Sequence, residues 1–381
     1  MKILMIITEK LPVPPVRGGA IQTYVAALAP LLAKRHDLTI LGITDETLAE
    51  HQTVNGVTYE RIPGGSLELY TPGVVAFLSR RNFDLIHIFN RPRLVLPVRK
   101  AAPKARLVLS LHNEMFAPEK ITGPEALEAI GQLERIITVS DYIGKSVRDL
   151  YPDAQPKLKT LYSGVDLKRF VPVWSSAEAK QARVVLRQQH GLAGKKVILF
   201  VGRLSPKKGA DVLVRAMPEL AARHPDAALV LVGSKWYGED GVSDYVAYVR
   251  ALAARAPLPV VSTGFVIPDL IAPWFWAGDI FICASQWEEP LARVHYEAMA
   301  AGLPIVTTAR GGNPEVIRSG VNGVILDRPD DPKAMAGALH PLLADSGLRE
   351  RMGRAGRVLA EERYGWDRVT REVLDVWEGT R

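Results

Sequence analysis

The sequence predicts an α/β protein of two Rossmann-like domains, each a doubly wound parallel sheet, facing across a cleft. Three observations predict it. At 381 residues the chain exceeds what one hydrophobic core usually organises, so two domains are expected. Short apolar strands alternate with helix-length stretches almost from end to end, the rhythm of right-handed βαβ units. That rhythm pauses near the middle and restarts where a strand enters a loop bearing glycine and lysine, 196–209.

In the first half, strands are expected over 3–8, 38–43, 57–62, 84–89, 107–111 and 136–140. Several are continuous Val/Ile/Leu runs, as suits parallel strands covered on both faces. Helices are expected between them, at 20–33 and 142–150. The second half offers strands at 196–202, 228–232, 260–263, 279–284, 304–308 and 323–326. Residues 170–176 read as a linker. Near the C-terminus, Trp366, Val369, Val373, Val376 and Trp377 make a helical apolar stripe.

Composition narrows the class. A hydrophobic fraction of 48% and a charged fraction of 23% exclude a disordered chain. No apolar run reaches the roughly 18 residues of a bilayer span. The opening Met1–Lys10 stretch has a short apolar run, then at once an acid and a base, so it reads as a first strand and not a signal peptide. Cys283 is the only cysteine, which excludes a disulfide scaffold and a cysteine zinc site; it reads as a small buried hydrophobe. The net charge is +7. Between Leu85 and Asn113 there is no acid, but Arg91, Arg93, Arg99, Lys100, Lys104 and Arg106 fall there. They read as a solvated helix surface or as a face for an anionic membrane or acceptor. Nucleic acid is not an expected partner, since no aromatics interleave with these bases and no binding motif is visible.

Three features suit a phosphate-bearing ligand. Arg17-Gly18-Gly19-Ala20 lies between a strand and a helix, where paired glycines admit a close ligand and a helix start offers N–H groups. Gly202-Arg203-Leu204-Ser205-Pro206-Lys207-Lys208-Gly209 repeats that arrangement with two cations, Arg203 for two parallel hydrogen bonds and Lys208 as a point charge. Such cations suit the charge that develops on a leaving diphosphate. The third runs from Ser285 to Pro304 and carries Glu289 and Glu297. Two carboxylates there accept hydrogen bonds from sugar hydroxyls, while N–H groups near Ala292 and Arg293 face a phosphate at the helix start.

Arg203 with Lys208, Glu289-x7-Glu297, Gly302-x-Pro304 and Gly311-Gly312-Asn313-Pro314-Glu315 together resemble the retaining glycosyltransferase family 4, over essentially the whole chain. The resemblance implies the GT-B fold: an acceptor-side domain 1–168, a donor-binding domain 169–365, and a C-terminal helix within 366–381 that returns to the first domain. It implies that Glu297 binds the donor ribose, Glu289 the transferred sugar, and Arg203 and Lys208 the diphosphate. His112 then contacts the donor sugar near the reacting carbon, and Gly19 forms floor near phosphate or acceptor. The backbone of Phe265, Val266 and Ile267 cradles the base, and Leu291, Ala292 and Arg293 complete the donor pocket. Most relatives carry Gly-Phe-Gly where this chain has Pro290-Leu291-Ala292, which implies a tighter or differently shaped pocket. Ser163 stands where asparagine is common.

The implied reaction is transfer of a sugar from a nucleotide diphosphate with retained configuration, with no cofactor and no metal site. The acceptor is a glycan, a protein or a lipid-linked molecule. Words such as 9–14, 112–116 and 139–144 are similar to members from spore formers, which implies spore-coat or envelope glycan formation, in the cytoplasm or at the coat. Two alternatives stand beside it: an inactive structural coat component that keeps the fold, and a nucleotide-sugar epimerase.

Overall fold

Ile3, Leu4, Met5 and Ile6 are fully buried in the first strand, β1 (Lys2–Ile6), of a computed structural model that describes residues 1–235 and 241–379. Strands β2 (Asp37–Ile43), β3 (His51–Val54), β4 (Val57–Ile62), β5 (Leu85–Phe89), β6 (Arg106–Leu111), β7 (Arg135–Thr138) and β8 (Leu158–Thr160) complete one sheet in the order β3-β4-β2-β1-β5-β6-β7-β8. All neighbours pair in parallel except β3 with β4. That hairpin turns at Asn55-Gly56, both with positive φ (52° and 79°), which suits a tight two-residue turn. The strand reading omitted β3 and β8: β3 is mostly exposed and β8 only three residues long, so neither carries an apolar run.

A second sheet holds β9 (Lys196–Val201), β10 (Ala227–Val232), β11 (Val260–Ser262), β12 (Ile280–Cys283), β13 (Ile305–Thr308) and β14 (Gly323–Leu326). Its order is β11-β10-β9-β12-β13-β14, all parallel. In each sheet the strand order reverses beside its opening strand, between β1 and β5 and between β9 and β12. In open α/β sheets such a switch point leaves a crevice at the strands' C-terminal ends, the place where ligands dock.

The chain divides into two units, Met1–Ser163 with the segment from Trp366 onward, and Gly164–Gly365. Residues 164–168 therefore go with the second unit, and the reason is hydrogen bonding. Val165 N–H donates to Tyr364 O at 2.8 Å, and Arg357 donates to Leu167 O and Phe170 O. The segment 170–176 is not a free linker either. Phe170 is buried edge-on against Phe275, and the Trp276 indole donates to Val171 O. Its proline and serines look like a spacer, but its aromatics are packed.

The six bases between Leu85 and Asn113 do not form one open face. Arg91 is paired with Glu9, Arg93 with Glu125 and Arg106 with Glu134, while Arg99 donates to the carbonyls of Pro103, Ala105 and Gln132. Their partners lie elsewhere in the chain, so a local charge reading misses them. Among the described residues no helix is long and apolar enough to cross a membrane.

The C-terminal stripe forms the helix Trp366–Glu378, which buries Val369, Val373, Leu374, Val376 and Trp377 in the core of the first unit. The last two residues of the expected 366–381 segment lie outside the described residues. Trp377 is wholly buried, and its indole donates to His87 Nδ1 at 3.2 Å. Burial pushes the His87 pKa down to about 3, so the ring is neutral and accepts that bond. Trp377→Ala should therefore cost about 3–5 kcal/mol of stability, read by denaturant unfolding. A loss under about 1 kcal/mol would mean the helix docks only loosely.

Candidate active site

Both switch points carry chemistry-bearing side chains. In the first unit, Glu9 follows β1, Asn90 and Arg91 follow β5, and His112 follows β6. Arg91 grips Glu9 through two bonds of 2.6 and 2.8 Å, and Glu9 is only 3% exposed. Asn90 has φ of 55°, and its Oδ1 accepts the His112 backbone N–H at 2.9 Å. The imidazole of His112 stands edge-on to Tyr24, 5.3 Å between ring centres. These contacts fix His112 just past the C-terminal end of β6. Asn90, Glu9 and Arg91 were not singled out as site residues from sequence, although the short Asn-Arg pair directly after a buried strand was the available signal.

Gly19 precedes the helix Ala20–Leu32 with φ of 108°. A Cβ there would stand 2.3 Å from Gln22 Oε1, so glycine makes room for the Gln22 amide, which donates to Thr8 Oγ1 and Leu11 O. Arg17 does not join the glycines as an anion ligand. It is bonded to Asp45 at 2.9 Å and Glu46 at 2.7 Å.

In the second unit, Lys208 ends the short 3₁₀ turn Pro206–Lys208 after β9, and Glu289 lies in the loop after β12. Lys208 Nζ donates to Glu289 Oε2 at 2.6 Å, across 81 positions of sequence. The same oxygen accepts from Ser285 Oγ at 3.0 Å and the Trp287 indole at 2.8 Å. Burial alone would raise the Glu289 pKa, but Lys208 and these hydrogen bonds outweigh it and hold the carboxyl below its ordinary value. Glu289 is thus a fixed carboxylate, 7% exposed, beside a cation. Arg203 follows β9 and is half-buried, between Gly202 and Leu204, whose N–H groups donate to Val232 O and Ser234 O.

Three loops press together around Glu289. Gln286 N–H donates to Lys207 O, and a Cβ on Gly209 (φ 69°) would meet Ala284 O at 2.1 Å. From the far side, Gly312 N–H donates to Glu289 O at 2.8 Å. Gly311 has φ of 55°, and a Cβ on it would meet Glu289 O at 2.1 Å. A parallel arrangement joins the ends of β9, β10 and β11. Gly233 N–H donates to Gly264 O at 3.1 Å, and a Cβ on Gly233 would lie 2.1 Å from Gly202 O. Gly264 leads directly into Phe265 and Val266, both half-buried. Gly233 and Gly264 carried no sequence signal beyond their glycine identity.

At the helix that carries Glu297, one expectation fails. That helix is the seven-residue Val294–Ala300, and the Ala292 N–H is not bare: it donates to Asn313 Oδ1 at 3.1 Å. The Ala292 amide is therefore already spent within the protein, contrary to the expectation of a bare N–H at this helix start. Arg293 lies 3.7 Å from Glu297, and Glu297 is 15% exposed. Burial holds the Glu297 pKa above its ordinary value, against the pull of Arg293 and Arg169. The structure thus joins Lys208 directly to Glu289, and Arg293 to Glu297. Among the described residues no group of three or more His, Cys, Asp or Glu side chains is placed to hold a metal ion.

Two parallel-sheet α/β units, each with charged loops at its switch point, are the GT-B architecture of sugar-transferring enzymes. The Glycosyltransferase Family 4 model matches residues 18–169, and the Glycosyl transferases group 1 model matches 183–359. The chain belongs to this glycosyltransferase family. It is 48% identical to spore coat protein SA of Bacillus subtilis over 381 residues, all of both chains. It is 30% identical to the GDP-mannose-dependent alpha-(1-6)-phosphatidylinositol monomannoside mannosyltransferase of Mycolicibacterium smegmatis, covering 97% of each chain. Among solved structures, that of Anabaena Alr3699/HepE in complex with UDP-glucose superposes with a TM-score of 0.78 at 24% identity, over 100% of both chains.

Proposed function

We propose that this glycosyltransferase takes its sugar from a nucleoside diphosphate and passes it to an acceptor with the anomeric configuration retained. The observation that carries the reading is the Lys208–Glu289 contact at the second switch point. It sets a cation for a departing diphosphate against a buried carboxylate suited to sugar hydroxyls. Arg203, on the same loop as Lys208, is assigned to the same diphosphate. In the proposed step the bond from the anomeric carbon to the diphosphate oxygen breaks, and the acceptor oxygen bonds to that carbon on the same face. The acceptor's proton goes to the departing phosphate. Catalysis then rests on position and charge, with no protein nucleophile and no metal. Glu297 is assigned to the ribose and the backbone at Phe265 and Val266 to the base. The acceptor is a glycan, protein or lipid-linked molecule of the spore coat or envelope, and work in the cytoplasm or at the coat is consistent with the similarity to spore coat protein SA. A peripheral hold on an anionic membrane would fall to Lys100 and Lys104, the exposed pair left by the arginine ion pairs.

A thermal-shift panel tests the donor. UDP-glucose and GDP-mannose are the first probes, because the Anabaena structure holds one and the mycobacterial relative depends on the other. A donor at 100 times its Kd should stabilise the chain by about 2.7 kcal/mol, in EDTA as in buffer. Silence across a wide panel favours a coat component without turnover. A shift that requires added Mg²⁺ or Mn²⁺ overturns metal independence. An epimerised free nucleotide sugar, formed without acceptor, would instead make the protein an epimerase.

A further inference from the structure

The segment 164–170 enters the second unit as a strap, and its contacts converge on the donor half of the site. At its start, Gly164 O accepts from Arg293 Nη1 at 3.4 Å, just ahead of the helix Val294–Ala300. At its end, Arg357 donates at once to Phe170 O at 2.9 Å and to Ala300 O at 2.8 Å, the last residue of the same helix. The strap therefore spans the helix that carries Glu297 and is fastened at both ends. Its turn is made by Asp166, whose Oδ1 accepts the N–H groups of Lys168 and Arg169 at 2.9 and 3.0 Å. This geometry projects Arg169 off the strap, where its guanidinium donates to Pro268 O and lies over the Phe170 ring. Pro268 opens the 3₁₀ turn Pro268–Leu270, directly after Phe265, Val266 and Ile267.

We propose that Arg169 is a positioning residue for the nucleoside half of the donor site, tying the 265–268 backbone to the helix that bears Glu297. The inference rests on the reading that Glu297 holds the ribose and residues 265–267 the base. Arg169 acts on both partners. It fixes the carbonyl that ends the base segment, and its charge reaches the Glu297 carboxylate. Burial favours the protonated Glu297, and two cations face it, Arg293 from its own helix and Arg169 from the strap. Without Arg169 the carboxyl would protonate at higher pH and lose an acceptor for a ribose hydroxyl.

The test is titration calorimetry of the full chain with UDP, GDP and ADP and their 2′-deoxy forms, from pH 5 to 9. For the diphosphate that binds, Arg169→Met should weaken affinity roughly 10- to 100-fold, the loss of one charged hydrogen-bonding group. The 2′-deoxy form should suffer less, and the fall of affinity on acidification should begin at higher pH than in the unaltered chain. Arg169→Lys keeps the charge, so it should weaken binding while leaving that acid limb in place. Should Arg169→Met fail to fold, as judged by its melting curve, Arg169→Lys decides: unchanged affinity overturns the proposal. Glu297→Gln should remove the carboxyl's share of that limb, leaving only the part set by protonation of the terminal phosphate. If Glu297→Gln leaves binding untouched, or none of the three diphosphates binds, the donor reading itself falls and this proposal with it. If Glu297→Gln weakens binding and Arg169→Met does not, only the role of Arg169 is lost.

Discussion

Lys208→Met should lower the transfer rate by about 10²–10³ on the proposed reading that its charge stabilises the leaving diphosphate. It should also cost roughly 3–5 kcal/mol of stability, since Glu289 is left buried without its cation. The two effects separate in a double variant. Lys208→Met with Glu289→Gln replaces the buried pair by neutral groups, so much of the stability should return while the rate stays low. The pH dependence has a definite sign. In the unaltered chain Glu289 has a depressed pKa, so its contribution is present above the unfolded carboxyl pKa of about 4.3 and fades as pH falls below it. In Lys208→Met burial prevails and the pKa rises, so mild acidification should raise the melting temperature instead of lowering it. Full activity in Lys208→Met, with donor saturating, would remove the charge-stabilisation account.

The fold was open to reading because parallel strands buried on both faces leave long apolar runs, as in β9, β10 and β12. β3 escaped, being an exposed hairpin arm whose Asn55-Gly56 turn was the one available sign. At the site, charged side chains were legible and their surroundings were not. Lys208 and Glu289 stand on loops after neighbouring strands, and it was the family resemblance that linked them in the sequence. The Ala292 amide was read as open to a ligand because its partner, Asn313, lies 21 residues away on a different loop. The ion pairs of the basic run from Arg91 to Arg106 were hidden for the same reason, their acids being distant in sequence. Glycines behave alike: sequence gives their presence, but only geometry shows which ones admit a neighbouring carbonyl.

Gly311 is the sharpest such case, and it leads to a testable difference between two glycines. Gly311 and Gly320 both have positive φ, 55° and 79°, so alanine at either place adopts a disfavoured conformation worth roughly 1–2 kcal/mol. Around Gly320 nothing lies within 4 Å of the new Cβ, so Gly320→Ala should show that strain alone and keep its activity. At Gly311 the new Cβ would lie 2.1 Å from Glu289 O and 2.7 Å from Glu289 N, both backbone atoms that cannot rotate aside. Relief requires the two loops to part, which breaks the Gly312 N–H bond to Glu289 O and moves the Glu289 carboxylate relative to Lys208. On the proposed role of Glu289, displacing it by about 1 Å costs on the order of 10² in rate. Gly311→Ala should therefore lose about 100-fold in kcat/KM and melt below Gly320→Ala. If the two alanine variants were equally active and melted together, the Gly311 loop would not be what sets Glu289 in place, and its glycine would serve only a turn.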